Sequence, residues 1–178
     1  TVDIWAYYNH ADEVELFLNG QSLGTRNKMN DDLHVKWRVP FTPGILKAVS
    51  KKDGKIVLTQ VIKTAGKPAK IILTSDRKSI HADGKDLAFI TVKIEDKDGN
   101  IVPDADNQVR FTITGNGFLA GVDNGSQTSM ESFKASERKA FNGLCLAVIQ
   151  SNGKNGPVSL KAVSDGLQPA TILVGTTK

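Results

Sequence analysis

The chain has 178 residues, 39% of them apolar and 24% charged, with a net charge of +4 from 23 Lys and Arg against 19 Asp and Glu. That size allows one or two domains with a packed core, and the composition excludes a disordered tail. The charge excess is mild and spread along the chain, which argues against the basic stripe of a nucleic-acid binder, and no run of about 18 apolar residues offers a transmembrane helix.

Thr1 carries no signal-peptide pattern and runs straight into Val2-Asp3-Ile4-Trp5, which already reads as a strand, so a piece of a longer chain is expected. Period-two alternation then dominates. Val14, Leu16 and Leu18 oppose Glu13, Glu15 and Phe17, and Asn19-Gly20 supplies the positive-φ pair of a tight hairpin into Ser22–Thr25. Leu33, Val35, Trp37 and Val39 alternate with His34, Lys36 and Arg38. Asp53-Gly54 sits between two apolar runs, and the neighbouring Lys51-Lys52 reads as a solvated hairpin end.

Ala65-Gly66-Lys67-Pro68-Ala69 has linker chemistry, which predicts a boundary between modules at 1–66 and 67–178. The first gives about six strands and is short for a sandwich: it is either a small one or leans on a missing neighbour. The second gives seven or eight strands and fits an immunoglobulin-like sandwich of about 100 residues. There, Ala88, Ile90, Val92 and Ile94 form one apolar face, and Val109, Phe111 and Ile113 another. Asp98-Gly99-Asn100, Asn152-Gly153 and Asp165-Gly166 mark turns. Ser129–Lys139 lacks a sustained apolar stripe and reads as a long polar loop with, at most, a short helical turn. The fold class expected is all-β, two antiparallel immunoglobulin-like sandwiches in tandem.

Reactive constellations are hard to find. Gly115-Asn116-Gly117 lies between strands rather than opening a helix, so a bulge or turn is expected, not a phosphate loop. Cys145 sits in a continuous apolar strand and reads as buried and inert. His10, His34 and His81 lack metal-ligand spacing, and Asp96-Lys97-Asp98-Gly99-Asn100 begins like a calcium loop but has Asn107 where a bidentate carboxylate is needed. All five glutamates are expected as solvated side chains on polar strand faces or in the polar loop. No catalytic residue, metal site or cofactor is assigned. Trp5, Tyr7 and Tyr8 are the one aromatic cluster; alternation sets Trp5 and Tyr7 on one face, where they are candidates either for sugar stacking or for packing on a neighbour.

Val14-Glu15-Leu16-Phe17-Leu18-Asn19-Gly20-Gln21-Ser22-Leu23-Gly24, flanked by Trp5-Ala6-Tyr7-Tyr8-Asn9 and Trp37-Arg38-Val39-Pro40-Phe41, resembles the hairpin that follows the catalytic barrel in bacterial β-galactosidases of glycoside hydrolase family 2. Ala120–Gly125, Glu131-Ser132-Phe133-Lys134 and Arg138–Gly143 look like a further C-terminal immunoglobulin-like domain, with Met130 where many relatives have His. The resemblance implies a non-catalytic C-terminal region whose partner is the upstream barrel of the same parent chain, since a (β/α)₈ barrel needs about 250 residues and eight helices. It also implies a bacterial periplasmic or exported setting and leaves subunit contacts open. The surfaces expected to touch barrel or carbohydrate are Trp5, Tyr7, Tyr8, Asn9 and His10, and the loop residues Asn124, Glu131, Phe133 and Arg138. Ile71 to Ile113 also resembles the repeats of invasin-type adhesins. Three readings stand: accessory modules of a family 2 glycosidase, an autonomous carbohydrate-binding module, or a stalk fragment.

Overall fold

The computed structural model describes residues 1–178 and contains strands but no α-helix. It divides into unit 1, Thr1–Thr64, and unit 2, Ala65–Lys178.

In unit 1, β1 (Val2–Tyr7) pairs antiparallel with β4 (His34–Val39), and β2 (Glu13–Leu18), β3 (Gln21–Arg26), β5 (Ile45–Lys52) and β6 (Lys55–Lys63) form a second sheet in the order β3-β2-β5-β6. Alternation explains the core. Val14 and Leu16 from one sheet meet Val35 and Trp37 from the other, with Ile4, Ala6, Tyr8, Leu23, Val39, Leu46 and Ala48 packed around them. Leu33, expected on the same apolar face, lies just before β4 and is exposed, because the strand begins only at His34. The hairpins turn as the dipeptides require: Asn19 and Gly20 have φ of 50° and 84°, Asp53 and Gly54 of 49° and 72°. Lys51 is not a free hairpin-end charge. Its ammonium lies 3.0 Å from Glu15 and 4.0 Å from Glu13, whereas Lys52 is exposed.

Unit 2 is a two-sheet sandwich. One sheet runs β11 (Gly117–Asp123), β13 (Leu144–Ser151), β9 (Leu87–Glu95), β7 (Lys70–Ser75); the other runs β12 (Glu137–Lys139), β10 (Gln108–Gly115), β14 (Gly156–Val163), β15 (Ala170–Thr177), β8 (Ser79–His81). This unit has nine strands rather than seven or eight, because the three-residue β8 and β12 are too short to show alternation in sequence. β8 also pairs parallel with β15, the one exception among the strand pairs, and Lys70 makes an isolated parallel bridge to Gln168. Ala88, Ile90, Val92 and Ile94 are all fully buried against Val109, Ile149, Val158, Leu160 and Val174.

The Asp96 turn is held by its own carboxylate, which is nearly fully buried and accepts from the Gly66, Asp98 and Asn100 N–H groups at 2.7, 2.9 and 2.8 Å and from the Asn100 amide at 2.9 Å. The Gly66 N–H first, then the Asn100 amide, hold this carboxyl far below the usual range. At Gly115-Asn116-Gly117 the chain passes directly from β10 to β11.

Candidate functional site

Two places gather the expected contact residues. On unit 1, the register of β1 against β4 sets Asp3 beside Arg38, Trp5 beside Lys36, and Tyr7 beside His34 on the face away from the core. Trp5 and Tyr7 are 55% and 64% exposed. His34 stacks on both: its ring centre is 4.7 Å from Trp5 at an interplanar angle of 24°, and 5.0 Å from Tyr7 at 38°. Trp5 and Tyr7 themselves meet edge-on at 6.4 Å and 61°. The result is an open aromatic surface with Lys36 and Arg38 on the same sheet face. Such a surface offers apolar ring faces and charge-bearing donors, the chemistry of a sugar contact or of a protein interface.

Tyr8 does not join this surface. It turns to the opposite face, where its hydroxyl accepts from the Lys28 N–H at 2.8 Å and donates to the Asp12 carbonyl at 3.3 Å. The Lys28 ammonium donates to the Tyr8 carbonyl at 2.6 Å and sits 4.7 Å from the ring centre. Tyr8 therefore clasps the loop after β3 to the end of β1. Asn9 and His10 follow it, exposed. His34, read from the sequence as a plain exposed residue, is half-buried between the two rings; only the cross-strand register, invisible in sequence, brings it there.

On unit 2, the expected loop from Asn124 ends earlier than predicted, because Glu137-Arg138-Lys139 forms β12. Arg138 is 1% exposed. Its guanidinium donates to the Val122 carbonyl at 2.9 Å, the Ser132 carbonyl at 3.3 Å and the Ser129 hydroxyl at 3.2 Å, and it lies 3.6 Å from the Glu131 carboxylate. Its Nε has no partner. Glu131 is not a solvated glutamate either. It accepts from the Lys139 N–H at 3.1 Å, the Gln108 amide at 3.3 Å and the Ser129 hydroxyl at 3.1 Å. Partial burial pushes its carboxyl upward, but these donors and the Arg138 charge outweigh that and leave it below the usual carboxylate range. It is thus a held anion, not the raised-pKa proton donor that glycoside hydrolysis requires. Asn124 donates to the Lys139 carbonyl at 2.8 Å and accepts from the Ser126 N–H at 3.0 Å. Phe133 is exposed, with the Arg138 guanidinium 5.2 Å from its ring centre. Of the four loop residues, Asn124, Glu131 and Arg138 turn their polar atoms inward, and Phe133 alone presents a broad outward face.

Among His, Cys, Asp and Glu, no three side chains come together in a geometry that would hold a metal ion. Cys145 is buried, and desolvation first of all pushes its thiol up to about 12, the condition of an inert thiol.

Residues 71–173 match the family described as glycoside hydrolase family 2 C-terminal domain 5, and residues 1–58 match a domain of unknown function, DUF4982. The first match spans more than half of the chain: the chain belongs to the glycoside hydrolase family 2 C-terminal domain 5 family. It is 56% identical over 173 residues to the β-galactosidase BoGH2A of Bacteroides ovatus, a match covering 97% of this chain and 20% of that protein. A putative β-glucuronidase of Formosa agariphila is 31% identical over 142 residues, 79% of this chain and 14% of its own. Among solved structures, a glycosyl hydrolase family 2 member from Bacteroides cellulosilyticus superimposes with a TM-score of 0.91 at 40% identity, over 94% of this chain and 22% of that one. The chain therefore spans about a fifth of the length of such relatives.

Proposed function

We propose that this chain is the non-catalytic C-terminal end of a bacterial family 2 glycoside hydrolase of the β-galactosidase type, with modules at 1–66 and 67–178 that follow a catalytic barrel and support it or the rim of its active site. One observation carries the reading: the 56% identity runs through nearly the whole chain yet touches only a fifth of a β-galactosidase. The internal commitment of Glu131 and Arg138 supports it, since a carboxylate held as an ion pair is no general acid. The family match over most of unit 2 favours this reading over a stalk fragment. A periplasmic or exported compartment goes with it. The test is aryl β-galactoside hydrolysis by residues 1–178 and by the parent enzyme. The parent turns the substrate over and the 178-residue chain does not; turnover by the chain alone at enzyme-like rates overturns the proposal.

The open Trp5–Tyr7 surface favours a second reading, carbohydrate binding by unit 1 itself. Titration calorimetry against galactosides with the wild type and with Trp5→Ala decides it: heat lost in the variant supports binding, and a silent wild type removes it.

A further inference from the structure

The sandwich of unit 1 is one strand short. Four strands face two, and β4 lies on the β3 side, which leaves β1 on the β6 side with nothing hydrogen-bonded along its outer edge. Beyond β1 the inward face of β6 is bare: Leu58 and Ile62 point the way Val14, Leu16 and Ala48 do, yet are 61% and 60% exposed. Between β1 and β6 runs a mostly apolar groove of about 310 Å³, lined on one lip by Ile4, Ala6 and Tyr8 and on the other by Leu58, Gln60 and Ile62. Sheets pack about 10 Å apart and strands about 4.8 Å apart, so one strand beside β1 lands over Leu58 and Ile62.

The two edges that flank this groove differ in how they are guarded. β6 carries Lys55 and Lys63 at its ends and a bulge opposite Ser50 and Lys51, the devices that keep an edge unpaired. β1, Val2-Asp3-Ile4-Trp5-Ala6-Tyr7, has one charge, no lysine, no proline and no bulge. We infer that β1 is a docking edge, and that an extended segment of the parent polypeptide upstream of Thr1 adds to it as a strand, its alternate apolar side chains filling the groove over Leu58 and Ile62. The relatives are about five times longer than this chain, so the parent has the polypeptide to supply it. This rests on the reading of the chain as the end of a longer enzyme.

The experiment is hydrogen–deuterium exchange on the full parent and on residues 1–178, reading the peptide that spans β1, with oxidative footprinting of Leu58 and Ile62. In the parent, the β1 amides that β4 leaves free exchange slower by about a hundredfold or more than in residues 1–178. Leu58→Lys leaves the thermal midpoint of residues 1–178 unchanged and restores fast β1 exchange in the parent. Three results overturn the inference. Equal β1 exchange in both forms means no strand is added. Footprinting protection of Leu58 and Ile62 without amide protection means a surface merely covers them. Protection in residues 1–178 that disappears on dilution means a second copy is the occupant. A parent that lacks a barrel and cleaves no galactoside would instead sink the proposed function, and the β1 exchange would still be readable.

Discussion

Arg138 is the residue on which the Asn124–Ser136 loop turns. A buried guanidinium reaching two carbonyls, a hydroxyl and a carboxylate takes a donor from each of them when it is removed and leaves an empty space in the packed loop. Arg138→Ala therefore destabilises unit 2 by about 3–5 kcal/mol, measured by urea unfolding, and Arg138→Lys recovers little because an ammonium cannot span the same fork. Glu131 makes the same cluster pH-sensitive. Its folded pKa lies below its unfolded value of about 4.3, so the stability it adds is present above that pH and is lost as pH falls toward the folded value. Glu131→Gln makes the acid limb of unit 2 stability below about pH 4.3 less steep, the Asp96 share remaining, and leaves its slope near neutrality unchanged. Cys145, with its thiol near 12 and buried, resists a thiol reagent in the native state and reacts once urea unfolds unit 2. Sequence placed Cys145 correctly because it lies in an apolar run. It misplaced Arg138 because an arginine flanked by Glu137 and Lys139 looks solvated until β12 pairs with β10 and turns it inward.

Among the elements, the hairpins were the most legible, since Asn-Gly and Asp-Gly need no tertiary context to prefer positive φ. One turn carries more than its local signal. The Asn19 side chain donates to the Pro43 carbonyl at 3.1 Å and accepts from the Ile45 N–H at 2.8 Å, tying the β2–β3 turn to the start of β5. It passes close over Gly44, where an added Cβ would stand 1.8 Å from its Oδ1. Gly54, at a turn with open space around it, has no such neighbour. Gly54→Ala thus costs about 1–2 kcal/mol of backbone strain, and Gly44→Ala costs more because it also displaces the Asn19 bonds; denaturant midpoints of the two variants give the order. The short strands β8 and β12 were invisible for the opposite reason. Three residues hold too little alternation to read, and their pairing with β15 and β10 comes from distant parts of the chain.

At the scale of the molecule, the two units differ in how much they bury. The core of unit 2 gathers nineteen buried residues, that of unit 1 four: Val14, Leu16, Val35 and Trp37. Small cores are marginal, so unit 1 unfolds first. Both tryptophans, Trp5 and Trp37, lie in unit 1, so tryptophan fluorescence reports that unit while far-UV circular dichroism reports both. In urea the fluorescence midpoint falls below the dichroism midpoint; coincident transitions would mean the units unfold as one. The sequence by itself determined the all-β class, the inward faces of the long strands and the tight turns, because alternation and positive-φ dipeptides are local properties of the chain. Only the tertiary structure decided that His34 sits between Trp5 and Tyr7, that Arg138 is buried, and that β1 and β6 leave a groove open, because each depends on which distant strand comes to lie alongside and on whether another strand is there to cover it.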